Sequence, residues 1–158
     1  MQSKPDPVTV LVVDDEKGIR DGSQRIISRM GCNVLTAANG EAGLALIETN
    51  EVSIVLLDLK MPGIDGMEVL KRIQAMERDI LVIVITGFAT IETAIEAMKR
   101  GAYDFIPKPF EPDQLRIVVN RAWEKIDLKQ EALKLESERR RTLTDLGTEK
   151  SRIHTIID

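Results

Sequence analysis

A single cysteine, Cys32, and a single histidine, His154, stand in 158 residues. One cysteine excludes an internal disulfide framework and any multi-cysteine zinc site. One histidine excludes a histidine-rich metal site. Aromatics make up only 3% of the chain, and a basic excess is lacking: 22 Lys and Arg face 26 Asp and Glu, for a net charge of −4. Nucleic-acid binders normally carry a basic surplus or a basic stripe, so no nucleic-acid contact is expected. No apolar run approaches the roughly 18 residues that cross a bilayer, and the first residues lack the apolar stretch of a secretory signal. These absences point to a reduced, cytoplasmic setting. What is present is 43% hydrophobic and 30% charged residues, enough for one packed domain and a short appendage.

Residues 1–7 hold two prolines and read as a loose leader. Val8 to Val13 is a short, β-branched apolar run, the mark of a strand buried on both faces. It stops at Asp14-Asp15-Glu16. A helical pattern follows through Ile19, Ile26, Ile27 and Met30, and Gly31 ends it. The unit then recurs. Asn33 to Thr36 predicts a strand and Gly40 to Thr49 a helix. Ser53 to Leu57 predicts a strand that stops at Asp58, and Met67, Leu70 and Ile73 mark a helix. Ile80 to Ile85 predicts a strand ending at Thr86-Gly87, and Ile91, Ala94, Ile95 and Met98 lie on one side of a helix. Tyr103 to Ile106 predicts the last strand, and Leu115, Val118, Val119 and Ala122 begin the last helix. Five strands alternating with five helices imply an α/β fold, a doubly wound parallel sheet. Ligands of such sheets bind at the carboxyl ends of the strands.

From about Trp123 the composition changes to Ala, Leu, Glu, Lys and Arg without proline. The last helix is expected to continue as an extended helix or coiled-coil linker over 123–158. Val119, Ile126 and Leu133 keep a seven-residue spacing, and Leu143, Leu146, Ile153 and Ile157 follow in a shifted register. The shift predicts a discontinuity near residues 134–142. A solvated single helix is the alternative. The open amphipathic pattern at the end predicts an output module beyond Asp158. A homodimer along residues 115–157 is expected.

The strand ends bring together Asp14, Asp15, Asp58, Thr86 and Lys108. Taken singly, Asp15 could cap a helix, Asp58 could sit in a turn and Lys108 could be a solvated loop residue. Together they make a site. Crowded carboxylates need a counter-charge, which Lys108 or a hard divalent cation with oxygen ligands would supply. Magnesium uses one or two carboxylates plus waters and phosphate oxygens, which leaves a carboxylate free as a nucleophile.

The segments Val12-Val13-Asp14-Asp15-Glu16, Leu56-Leu57-Asp58-Leu59-Lys60-Met61-Pro62-Gly63, Val84-Ile85-Thr86-Gly87 and Lys108-Pro109-Phe110 resemble the receiver domain of response regulators in two-component signalling. The resemblance covers residues 8–122 and is greatest to receivers of the nitrogen-regulator class. It implies a flavodoxin-like five-stranded sheet of order 2-1-3-4-5. It implies Asp58 as phosphoacceptor, with Mg²⁺ (or Mn²⁺ in its place) held by Asp14, Asp15, Asp58 and the backbone carbonyl of Lys60. Thr86 and Lys108 would stabilise the phosphoryl group. Thr86 and Phe105 would form the switch, acting on the fourth helix, fifth strand and fifth helix. Phe88 would control access to the site, and the Lys108-Pro109 bond would be cis. The donor would be a phosphohistidine on a sensor kinase or phosphotransfer protein. His154 lacks the surroundings of such a histidine and is read as a helix-surface residue, and Cys32 as a small buried hydrophobe.

Two rivals differ in one residue or one loop. A haloacid-dehalogenase-type phosphatase wants a second aspartate two positions after its nucleophile, where this chain has Lys60. A flavodoxin-like cofactor binder wants a Gly, Ser or Thr-rich phosphate loop after the first strand, where this chain has Asp14-Asp15-Glu16.

Overall fold

The computed structural model describes residues 7–87 and 90–153, those from 143 onward by backbone alone. Phe88, His154 and Ile157, and the side chains of Leu143, Leu146 and Ile153, lie outside the described residues. Five strands and five helices alternate: β1 Thr9–Val13, α1 Lys17–Arg29, β2 Asn33–Ala37, α2 Gly40–Thr49, β3 Ile54–Asp58, α3 Gly66–Ala75, β4 Leu81–Thr86, α4 Ile91–Lys99, β5 Asp104–Pro107 and α5 Pro112–Ile153. The strands form one parallel sheet in the order β2-β1-β3-β4-β5.

The sequence pattern explains the order. The three inner strands are the near-continuous apolar runs, and Val10 to Val13, Ile54 to Leu57 and Val82 to Ile85 are all fully buried. The edge strands β2 and β5 are the less apolar ones and are only partly covered. Alternate residues Leu11, Val13, Val55, Leu57, Val82 and Val84 pack with Leu44, Ile47, Val69, Leu70, Ile73 and Ala97 from α2, α3 and α4. The intervening strand residues face the opposite side, where Ile27 of α1 and Leu115, Val119 and Ala122 of α5 are also buried.

Local signals set the helix ends. Asn39, Asp65 and Thr90 cap α2, α3 and α4 by accepting from the amides of Ala42, Met67 and Thr93. Gly31 closes α1 with φ +99°, a conformation that side chains with a Cβ disfavour. Gly66 is required for a different reason. A Cβ there would lie 2.4 Å from Leu59 Cα and 2.8 Å from the carbonyl oxygens of Asp58 and Leu59. The start of α3 is thereby pressed against the loop that leaves β3.

Strand ends and one helix position differ from the sequence expectation, and the structure decides a helix face that the sequence leaves open. Strands β3 and β4 run one residue further than their apolar runs, because Asp58 and Thr86 still take part in the ladder. The ladder bonds backbone groups and is indifferent to side-chain polarity. The stripe of Ile91, Ile95 and Met98 on α4 faces solvent, with Ile91 80% exposed, and the fully buried residue of this helix is Ala97. Val119, read as the first position of a heptad seam, is buried in the domain together with Leu115, Ala122 and Trp123.

The chain divides into two compact units after Trp123. In the second unit the described side chains are mostly exposed, Leu128, Leu133 and Leu135 among them, and Arg140 pairs with Glu136 one turn away. Among the described residues, no helix is long and apolar enough to cross a membrane.

Candidate functional site

The site lies at the carboxyl end of the sheet, beside the point where the chain winds outward from β1 in both directions. Asp14 follows β1 directly. Its amide donates to the Ala37 carbonyl at 3.1 Å, which ties it to the end of β2. The Glu16 amide donates to Asp14 Oδ1 at 2.9 Å, and Arg20 Nη1 donates to the Asp14 carbonyl at 2.8 Å. Asp14 is fully buried. Asp58 ends β3. The Lys60 amide donates to its Oδ1 at 3.0 Å, and Lys108 Nζ donates to its Oδ2 at 3.1 Å. Thr86 ends β4 and is fully buried, and its carbonyl accepts the Lys108 amide at 3.0 Å. The Lys108-Pro109 peptide bond is cis, as expected.

Lys108 is the positive centre of the group. Its Nζ lies 2.7 Å from Asp14 Oδ2, 3.1 Å from Asp58 Oδ2 and 3.2 Å from Glu16 Oε1. An ammonium has three donors, and three carboxylates meet it. Burial alone would lower its pKa. The hydrogen bonds and charges of Asp14 and Asp58 outweigh burial and hold it above the ordinary lysine range. Asp14 moves the other way from most paired acids. Burial raises its pKa above the usual 3.8, and this exceeds the opposing pull of Lys108 and the Glu16 amide. Its Oδ2 meets Lys108 Nζ at 2.7 Å, a close charge-assisted contact.

Asp14, Asp15, Glu16 and Asp58 each present an oxygen, and these atoms lie within 4.8 Å of one another. The donor set is all hard oxygen, with two members buried and two exposed. That suits a small divalent cation such as Mg²⁺, which keeps several of its waters. The cleft above has a volume of about 450 Å³ and is lined by Asp15, Glu16, Asp58, Lys60, Thr86 and Lys108 among others.

The structure therefore gathers Asp14, Asp15, Asp58, Thr86 and Lys108, as expected from the strand ends. Lys60 meets Asp58 through its backbone amide, and its side chain is exposed. Phe105 is half-buried against the core and pairs in register with Val84, two residues before Thr86. Glu16, which the strand ends alone do not mark, also joins the Lys108 cluster. The signal was the third acid in Asp14-Asp15-Glu16, a residue type that rarely serves best as a helix N-cap.

The response regulator receiver domain family matches residues 10–120 of this chain. The chain belongs to that family. This receiver domain is 42% identical over 132 residues to a putative response regulator, NtrX-like, of Rickettsia bellii; the match takes in 82% of this chain and 28% of that protein. It is 35% identical over 112 residues to sporulation initiation phosphotransferase F of Bacillus subtilis, covering 71% of this chain and 90% of that one. Among solved structures, the receiver domain of NtrX from Brucella abortus superposes with a TM-score of 0.69 at 42% identity, over 73% of this chain and 98% of that one. The chain thus spans little more than a quarter of the length of its NtrX-like relatives. As a receiver domain of two-component systems it is a signalling domain rather than a classical enzyme, which sets aside the phosphatase and flavodoxin rivals.

Proposed function

We propose that this receiver takes a phosphoryl group from a phosphohistidine of a sensor kinase or phosphotransfer protein onto Asp58. The observation that carries the reading is the setting of Asp58: buried at a strand end, its two oxygens held by the Lys60 amide and Lys108, and open to the cleft. A carboxylate oxygen of Asp58 attacks phosphorus, the P–N bond breaks, and the imidazole nitrogen leaves and takes up a proton. Hydrolysis reverses the load: water attacks phosphorus, the acyl-phosphate P–O bond breaks, and Asp58 returns as a carboxylate with inorganic phosphate.

Phosphoryl transfer of this kind is mostly positioning and charge neutralisation. Asp14, Asp15, Asp58 and the Lys60 carbonyl would hold Mg²⁺, which when bound neutralises charge on the transferred group. Lys108 follows the phosphoryl oxygens, and the Thr86 hydroxyl donates to one of them. Movement of Thr86 vacates space beside β5, into which Phe105 turns. The altered surface is that of α4, β5 and α5. Phe88 would shield the acyl phosphate from water.

A homodimer through the last helix supports transmission to an output module. The exposed Leu128, Leu133 and Leu135 favour it, with the seam starting beyond the buried Val119. Sedimentation would show concentration-dependent pairing, and a strict monomer at high concentration would remove this part. The setting is cytoplasmic.

The deciding experiment is intact-mass spectrometry after incubation with acetyl phosphate and Mg²⁺. The wild type gains one phosphoryl group that Asp58→Asn does not. Equal labelling of both proteins would overturn the assignment.

A further inference from the structure

We infer that Glu16 is a positioning residue of this site: it holds the Lys108 ammonium at the cleft mouth and tilts the site's charge toward a divalent cation and away from an anionic phosphoryl donor. The inference deepens, and rests on, the phosphoacceptor reading above.

Glu16 occupies the N-cap position of α1, yet its side chain makes no cap bond. The caps of α2, α3 and α4, Asn39, Asp65 and Thr90, accept from their own helices. Glu16 instead sends its carboxylate to a lysine 92 residues away, at 3.2 Å. It is 61% exposed, so burial does not force it there. Its own helix receives no cap hydrogen bond from the arrangement. The gain lies in how Lys108 is shared.

Lys108 and a divalent cation compete for the same oxygens, those of Asp14 and Asp58. A third anion gives the ammonium a partner to keep when a cation takes those two. The same anion adds negative potential at the rim. Both effects favour the cation. For a small anionic donor both effects reverse: the rim repels it, and Lys108 is partly engaged elsewhere. Removing the charge should therefore weaken metal binding and speed anionic donors at once. A disturbed loop would depress both. That split separates positioning from mere structure.

The test uses the full chain as wild type, Glu16→Gln and Glu16→Asp. Titration calorimetry with Mg²⁺ alone gives the metal affinity. Intact-mass kinetics with acetyl phosphate at saturating Mg²⁺, at low and high ionic strength, give the transfer rate to Asp58. Glu16→Gln should bind Mg²⁺ about two- to fivefold more weakly, the scale of an exposed charge pair. At saturating Mg²⁺ it should be phosphorylated about two- to fivefold faster, and high salt should shrink that gain. Glu16→Asp keeps the charge at the rim but shortens the reach to Lys108 by one methylene, and should fall between wild type and Glu16→Gln in both. Values for Glu16→Gln equal to wild type, or a fall in both quantities together, would overturn the inference. If wild type takes no phosphoryl group at Asp58 while the Mg²⁺ titrations separate as stated, the phosphoacceptor reading fails and the metal half of the inference stands.

Discussion

Lys108 Nζ stands 3.1 Å from Asp58 Oδ2 although 50 residues separate the two along the chain. The same nitrogen reaches Asp14 Oδ2 at 2.7 Å, and neither acid is more than 4% exposed. One ammonium thus balances two buried carboxylates brought from two strands. Without it the carboxyl end of the sheet would hold unpaired charge in a low dielectric.

Removing that ammonium should be costly when no metal is present. In EDTA, Lys108→Ala should lose roughly 3 kcal/mol in urea denaturation, the scale of breaking a buried ion pair from one side. Added Mg²⁺ should recover much of the loss, because a cation replaces the missing charge. Unchanged stability in EDTA would mean that the pairing contributes nothing.

Asp14 carries a pH signature of defined sign. Burial raises its pKa in the folded state above the usual 3.8. The folded protein then binds the Asp14 proton more tightly than the unfolded chain does. Its contribution favours folding below pH 3.8 and is lost as pH rises through the raised folded value. At neutral pH the ionised side chain therefore works against the fold. In EDTA, Asp14→Asn should melt higher than wild type at pH 7, with Asp58 and Glu16 still pairing Lys108. The advantage should fade as pH drops toward 3.8. A lower melting temperature at pH 7 would contradict this account.

Two glycines should respond in opposite directions. At Gly66 an added Cβ meets the backbone of Asp58 and Leu59. Gly66→Ala should cost on the order of 3 kcal/mol and reduce labelling of Asp58, because backbone cannot yield as a side chain can. Gly22 lies within α1 and has open space around its Cβ position. Gly22→Ala should stabilise by up to about 1 kcal/mol through helix propensity alone. Chemical denaturation of the two variants side by side checks both.

The α4 stripe should behave as surface. Ile91→Ser and Ile95→Ser should each change stability by no more than about 0.5 kcal/mol. Ile73→Ser, at a core position 2% exposed, should cost several times more. Urea midpoints for the three variants settle the comparison, and a large loss at Ile95 would place it in a core it does not touch here.

Much of the fold was legible because burial on both faces leaves a direct trace. Val10 to Val13, Ile54 to Leu57 and Val82 to Ile85 are unbroken apolar runs, and each is an inner strand. The acids and the threonine that end those runs could be read as one cluster, since parallel strands put their carboxyl ends on one edge. The α4 stripe could not be read so. Its 3.6-residue period is the same whether the stripe meets a core or water, and Ala97 is small enough to pack closely on the sheet from the other side. Glu16 was likewise hidden, because its partner comes from the far end of the domain.

Taken alone, the order of residues determined the strands, the helices between them and the chemical identities at the strand ends, because these follow from local periodicity and from where apolar runs stop. Only the tertiary structure decided which side of α4 is covered, that Val119 belongs to the domain rather than to a seam, and that Glu16 shares Lys108 with Asp14 and Asp58. Those outcomes depend on distances between groups far apart in the chain. Distance is set by packing, and no local pattern encodes it.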